Sequence, residues 1–254
     1  WDEDLLLDLR LNILNKFVDF FVIVEGDKTW QNNKKNLRFN INKFNEFKKK
    51  IIYIPVQDLP DGDDPYIREN HQRNCILRGL SNARDDDLII ISDLDEIPNP
   101  EKIVTFNPSD RFSVLKQKHF YYKLNLQSQK NPFWFGSRIC VKKYLKSPQW
   151  LRNIKTKKRP FWKFYKPPRP QILNDGGWHF NDLKTPKELS NKIQSYAHQE
   201  FNKDKFIDVQ KISDRLKNNK DLFDRDYKFE IIKIDENYPK FLRENKIKYK
   251  NWIL

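Results

Sequence analysis

Apolar and polar residues change period several times along this chain, and each change predicts an element. Residues 3–17 place Leu6, Leu9, Ile13 and Phe17 at helical spacing, with acids at the amino end where they favour the helix dipole, so an amphipathic helix is expected. The following run, ending in Phe20-Phe21-Val22-Ile23-Val24-Glu25-Gly26, is almost continuously apolar and rich in Val and Phe. That pattern predicts a strand buried on both faces of a parallel sheet, and residues 50–56 repeat it. After a turn-rich stretch, helical spacing returns from Tyr66 to Ala83 through Ile67, Cys75, Ile76 and Leu80. A third apolar strand, Leu88 to Ile91, opens directly onto acids at its carboxyl end.

Strand, helix, strand, helix, strand implies right-handed crossovers and an α/β fold with a mostly parallel central sheet flanked by helices. Ligands of such sheets bind beyond the carboxyl ends of the strands, where Glu25 and residues 93–96 project. Residues 111–174 read differently, mixing strand patterns (FSVLKQKHFYYKL, SRICVKKYL) with Pro-rich turns, so hairpins and long loops are expected there. From Lys184 the pattern is helical again, through ELSNKIQSYAHQEF and VQKISDRLKN, with a short strand in FEIIKI. No repeat or linker interrupts the chain, and one domain spanning residues 1–254 with a helical carboxyl-terminal part is the economical reading.

Composition excludes several classes. With 254 residues, 38% of them hydrophobic, and 7 Trp, 10 Tyr and 19 Phe, the chain can bury a large core and is no disordered tail. Its net charge of +14 is concentrated: the 64 residues between Asp110 and Asp175 hold 17 bases and no acid, and the remainder is slightly acidic at −3. One basic face or groove meeting an anionic partner is expected, rather than a uniform nucleic-acid coat. No apolar run approaches the roughly 20 residues that span a bilayer. Cys75 and Cys140 are too few for a disulfide framework and read as two reduced thiols, so a cytoplasmic setting is expected, with room for peripheral membrane contact.

The most informative segment is Ser92-Asp93-Leu94-Asp95-Glu96-Ile97-Pro98. Alternate residues of an extended chain point to one side, so Asp93 and Asp95 can bring two carboxylates to one divalent cation at a strand end. Mg²⁺ or Mn²⁺, bound by one or two carboxylates and by substrate phosphates, suits such a site. On the preceding helix, Glu69 and Arg73 are spaced for an ion pair, and the alternative for Arg73 is a nucleotide contact. In Asn174-Asp175-Gly176-Gly177-Trp178-His179-Phe180 the paired glycines allow close backbone approach, and His179 is either a packed, hydrogen-bonded histidine or a third metal ligand.

Taken together and in order, DLLLDLRLNIL, VDFFVIVEG, ENHQRNCILRGL, IIISDLDEIP, HFYYKLN, GGWHF and KIQSYAHQE resemble glycosyltransferase family 17 over about residues 1–202. The resemblance implies a GT-A-like, Rossmann-type fold, a nucleotide-sugar donor (UDP-GlcNAc in the animal members), a divalent metal on the Asp-x-Asp motif, and inversion at the anomeric carbon. Carried over, Asp93 and Asp95 form the metal and diphosphate site, Glu25 and Arg73 lie near the nucleotide, and His179 lies beside the metal. Residues 1–110 then form the nucleotide-sugar-binding half, 111–202 the acceptor half and 203–254 a carboxyl-terminal extension.

Inverting transfer needs a carboxylate that deprotonates the attacking hydroxyl, and Glu96 and Asp175 are the candidates, with Asp182 behind them. The basic, aromatic stretch 111–174 reads as a wall that covers the diphosphate and meets a glycan acceptor, an anionic one suiting the surplus of Lys and Arg. Two competing readings are a metal-dependent phosphodiesterase or nuclease, and an RNA-binding module stacking bases on Phe120, Tyr121, Tyr122, Trp134, Trp150 and Trp162. The first needs more acids or histidines converging on two cations than this chain offers, and the second lacks any RNP-like or KH-like signature.

Overall fold

The computed structural model describes residues 3–157, 167–195 and 199–254; Trp162, the bases Lys158, Arg159, Lys163 and Lys166, and His198 lie outside the described residues. The elements run α1 (Asp4–Leu14), β1 (Phe21–Gly26), β2 (Ile51–Val56), α2 (Pro65–Asn74), β3 (Leu88–Ile91), β4 (Glu96–Pro98), α3 (Pro100–Ile103), β5 (Phe112–Tyr121), β6 (Leu126–Ser128), β7 (Phe133–Val141), α4 (Pro148–Arg152), β8 (Gln171–Leu173) and β9 (Gly177–Asn181). They continue with α5 (Pro186–Ser195), α6 (Asp204–Ile207), α7 (Val209–Lys217), β10 (Phe229–Ile231) and α8 (Lys240–Glu244).

The three apolar strands expected in the amino-terminal half all form, but not in one parallel sheet. β1 and β2 pair in parallel as a separate two-stranded sheet. β3 instead pairs antiparallel with β7, at the edge of a larger sheet ordered β10-β6-β5-β7-β3. In that sheet, among the described residues, only β8 and β9 run parallel to their neighbour β5, so the fold is mixed α/β with a mostly antiparallel sheet, correcting the mostly parallel expectation. The physical reason is that an apolar run reports burial of both faces, which a covered antiparallel strand satisfies equally well.

The main core joins α1, through Leu6, Leu7, Leu9, Leu11, Ile13 and Leu14, to the sheet residues Ile97, Leu115, Phe120, Ile139 and Phe180. Tyr238, Leu242 and Tyr249 belong to the same core, so the carboxyl-terminal residues are built into it. Phe17, expected on the apolar face of the first helix, falls past its end and is exposed.

Two helix starts matter for the site. Asp64 caps α2 by accepting the Tyr66 N–H at 2.9 Å, with Pro65 at its first position, and this helix carries Arg73. Ser147 caps α4 by accepting the Trp150 N–H at 3.1 Å ahead of Pro148, and this short helix ends at Arg152. Asn74 accepts the Gln149 N–H at 3.0 Å, tying the two helix ends together.

Candidate active site

β3 ends at Ile91, and the chain turns through Ser92-Asp93-Leu94-Asp95 into β4. Basic side chains from distant segments hold this turn. Arg10, on α1, donates to the backbone carbonyls of Asp93 at 3.2 Å and Glu96 at 2.6 Å. Asp93 accepts from Arg73 Nη2 at 3.1 Å through Oδ1 and from Arg152 Nη2 at 2.9 Å through Oδ2. Arg73 also pairs with Glu69 at 2.8 Å, so the ion pair read from the helix spacing forms, and the same guanidinium reaches Asp93 as well.

Glu96 is buried and its carboxylate is filled. It takes both guanidinium nitrogens of Arg152, the indole N–H of Trp134 at 2.7 Å and the backbone N–H of Asp93 at 3.2 Å. Cross-strand register explains the neighbourhood: Glu96 on β4 lies opposite His179 on β9, and His179 lies opposite His119 on β5, so the three share one row across the sheet. The two imidazoles stack at 4.5 Å between centroids, and the Trp134 ring sits 5.2 Å from His179 and 5.6 Å from His119.

His179 Nε2 lies 3.4 Å from Asp95 Oδ2. Burial opposes both charges, yet each sustains the other: the imidazole is raised above its ordinary value by Asp95, and the Asp95 carboxyl is held below the usual carboxylate range by His179, with Lys192 adding to it. Burial, reinforced by the adjacent His179 charge, pulls His119 down to about 3 and keeps it neutral. Both His119 nitrogens and His179 Nδ1 are buried without a hydrogen-bond partner.

Not every expected site residue joins this cluster. Glu25, at the end of β1, lines the same cleft as Asp93 and Asp95, but its carboxylate accepts the backbone N–H groups of Arg38 and Phe39 and the hydroxyl of Tyr53, each at 3.0 Å. It anchors the 35–39 loop. Asp175 is exposed at the turn before β9, with φ of 50°, and its carbonyl accepts from Asn99, which follows β4, whereas the Asp93–Asp95 turn precedes that strand. The paired glycines serve the sheet itself: a Cβ on Gly177, whose φ is 133°, would lie 2.1 Å from the Ile97 carbonyl, and one on Gly176 would press on Leu115. The close approach they permit is strand to strand.

Arg10, Arg152 and Lys192 are the residues of this candidate site that sequence reading missed as individuals. Arg10 had a signal, being the only base within an otherwise Leu-rich helix, and Arg152 was one base among 17. Of the proposed stacking aromatics, Phe120, Tyr121 and Tyr122 are core, whereas Trp134 is 40% exposed beside Glu96.

On one side of the Asp93–Asp95 turn a cleft of about 1650 Å³ opens between β1 and β3, lined by Arg10, Arg73, Asp93, Asp95 and Lys192. Trp134, His179 and His119 cluster with one another and are not among the residues that line it. The donor groups of Asp93, Asp95 and His179 do not all come within 4.8 Å of one another. Two carboxylates at the rim of a cleft nevertheless fit a hard divalent cation, which takes one or two carboxylates and completes its shell with phosphate oxygens and water.

The Asp93–Asp95 turn thus lies at the cleft among the cationic side chains of Arg10, Arg73, Arg152 and Lys192. The chain belongs to glycosyltransferase family 17, whose profile matches residues 2–238, beyond the point at which motif resemblance stops. It is 25% identical over 221 residues to the human β-1,4-mannosyl-glycoprotein 4-β-N-acetylglucosaminyltransferase, covering 77% of this chain and 42% of that protein. The rat and mouse enzymes of the same name match at 25% and 24% over the same length, with 41% of each covered. The chain therefore spans about two-fifths of the length of these relatives. No solved structure gives a significant match. Among the described residues, no helix is long and apolar enough to cross a membrane.

Proposed function

We propose that this chain is a metal-dependent, inverting glycosyltransferase of GT-A-like architecture, moving GlcNAc from UDP-GlcNAc to a hydroxyl of a glycan acceptor. The carrying observation is the Asp93–Asp95 turn at the rim of the β1–β3 cleft, with Arg10, Arg73 and Lys192 beside it. The family and the transferase names of its relatives support the sugar and the reaction class.

In this reading Asp93 and Asp95 hold Mn²⁺ or Mg²⁺, with His179 beside it orienting Asp95 through their 3.4 Å contact. When bound, the cation supplies charge stabilisation for the departing diphosphate. Arg73 then has two duties. It neutralises Asp93 before the donor arrives, and as a fixed, always-charged fork on α2 it turns to the diphosphate once Asp93 is engaged elsewhere. Lys192 adds a second cation to the cleft wall, and Glu25 holds the loop that borders the nucleotide.

The acceptor lies on the Trp134 side of the turn. Its exposed indole offers a face for a sugar ring, and on the paired strand β5 Lys116, which stands 4.0 Å over Phe133, and Lys118 suit an anionic glycan or membrane surface. Glu96 and Asp175 remain the proposed bases. Glu96 is in place but must release part of its Arg152 and Trp134 bonding to accept a proton, whereas Asp175 is solvated but stands away from the turn.

The test is a thermal-shift screen of nucleotide sugars with and without Mn²⁺, followed by transfer assays of Glu96→Gln and Asp175→Asn. UDP-GlcNAc is expected to raise Tm only with the cation present, and the base variant to lose transfer while keeping donor binding. No nucleotide sugar shifting Tm would defeat the donor assignment, and wild-type turnover in both variants would remove both base candidates.

A further inference from the structure

We propose that Asp58, His71 and Cys75 form a binding site for a zinc-class divalent cation, separate from the Asp93–Asp95 turn. His71 lies on the last turn of α2 and Cys75 directly follows that helix. Their four-residue spacing puts both side chains on one face. Asp58 comes from the segment after β2. One donor atom from each of the three, an oxygen, a nitrogen and a sulfur, lies within 4.8 Å of the other two.

His71 Nε2 points into this group. It stands 3.4 Å from Asp58 Oδ2, is shielded from solvent and makes no hydrogen bond. A buried ring nitrogen without a partner is unfavourable unless something else takes its lone pair. The thiol side of the site is dry, because Cys75 is buried against Val56 and Leu59, and the Asp58 side faces water. Three protein donors in such a pocket leave a fourth tetrahedral position to solvent.

Donor chemistry selects the ion. Thiolate, imidazole and carboxylate together suit Zn²⁺, and a sulfur ligand disfavours Mg²⁺ and Mn²⁺. Metal bonds of about 2.0–2.3 Å require the three donors to close up by roughly 1 Å, a movement of side-chain ends. Arg78 does not block the site. It donates to Asp58 at 3.0 and 2.6 Å, occupying one lone pair on each oxygen of a carboxylate that has about four. Led by those hydrogen bonds, the Asp58 carboxyl falls to about 2 and is ionised at neutral pH. Arg78 thus acts as the supporting residue that orients a ligand. Binding converts the Cys75 thiol to thiolate and releases one proton to solvent, with no change of oxidation state. The bound ion would clamp α2, and with it Arg73, to the end of the β1–β2 sheet.

The experiment uses the full chain, stripped with chelator and titrated with Zn²⁺, then with Co²⁺ as a spectroscopic substitute. One equivalent of Zn²⁺ is expected to bind and raise Tm, and Co²⁺ to give thiolate-to-metal charge-transfer absorption. Both should be lost in Cys75→Ser and in His71→Ala, and kept in Cys140→Ser and in the Asp93→Asn/Asp95→Asn double variant. Arg78→Gln should weaken Zn²⁺ roughly 10-fold or more. His71 is partly exposed, so its variant remains informative if Cys75→Ser does not fold. Absence of the cobalt band in the wild type, its survival in Cys75→Ser, or a Zn²⁺ response unchanged in His71→Ala would overturn the site.

Discussion

Arg152 forks onto the buried carboxylate of Glu96, Nη1 to Oε2 at 2.7 Å and Nη2 to Oε1 at 2.9 Å. The same guanidinium reaches Asp93, so one arginine from the basic stretch holds both ends of the acidic turn. Arg152→Ala leaves a carboxylate that is 1% exposed without its cation, and a loss of about 3–5 kcal/mol is expected in urea unfolding. Arg152→Lys keeps the charge but not the fork and should fall between. An alanine variant as stable as the wild type would contradict this account of the Arg152–Glu96 pair.

Glu25 makes a different kind of anchor. Glu25→Gln is expected to cost about 1–3 kcal/mol at pH 7, because two backbone N–H groups and the Tyr53 hydroxyl lose a charged acceptor. Burial opposes ionisation, but the N–H groups of Arg38 and Phe39 prevail and lower its pKa. Its contribution is therefore present above the usual carboxylate range and lost as pH falls through the lowered value. The stability gap between wild type and variant should close on acidification, read by denaturant titrations from pH 7 downward.

The histidine pair carries opposite signs. With its imidazole pulled down to about 3, His119 contributes stability above its unfolded value of about 6.5 and loses it as pH falls. His179, raised by Asp95, contributes below about 6.5 and loses it as pH rises through its folded value. His119→Phe should flatten the acid limb of the stability profile, an effect on the order of a few kcal/mol at its largest. NMR titration of the two imidazoles provides the direct check, and a His119 that protonates near 6.5 contradicts the burial argument.

Asp95→Asn removes half of the carboxylate pair and the partner of His179. With UDP-GlcNAc at about 100 times its Kd, the wild type should gain about 2.7 kcal/mol, or roughly 5–10 °C in Tm, when Mn²⁺ is present. Asp95→Asn and Asp93→Asn are expected to abolish the cation-dependent part of that shift. Full retention in both would separate donor binding from the Asp-x-Asp turn.

Some of this was legible in residue order. Leu88–Ile91 running into Asp93 and Asp95 is a local pattern, and the turn lines a cleft, although the parallel sheet from which a ligand site was expected there does not form. The Glu69–Arg73 pair, four apart on one helix, was equally local. What held the turn was not legible, because Arg10 and Arg152 come from 83 and 59 residues away in sequence from Asp93. The strand that carries His179 was missed for a related reason: β9 is short and begins with a glycine, so its pairing with β4 and β5 determines it more than its composition does.

Local spacing by itself determined that the first helix and the three apolar strands of the amino-terminal half form, and that the third of those strands runs into Asp93 and Asp95, since each depends on neighbours within a few residues. Only the tertiary structure decided that β3 lies antiparallel to β7, that Glu25 serves a loop, that the paired glycines serve the sheet, and that Glu96 is taken up by Arg152. Those outcomes depend on which distant segment returns to satisfy a buried hydrogen bond or charge, and burial makes that satisfaction obligatory without recording in the sequence which partner supplies it.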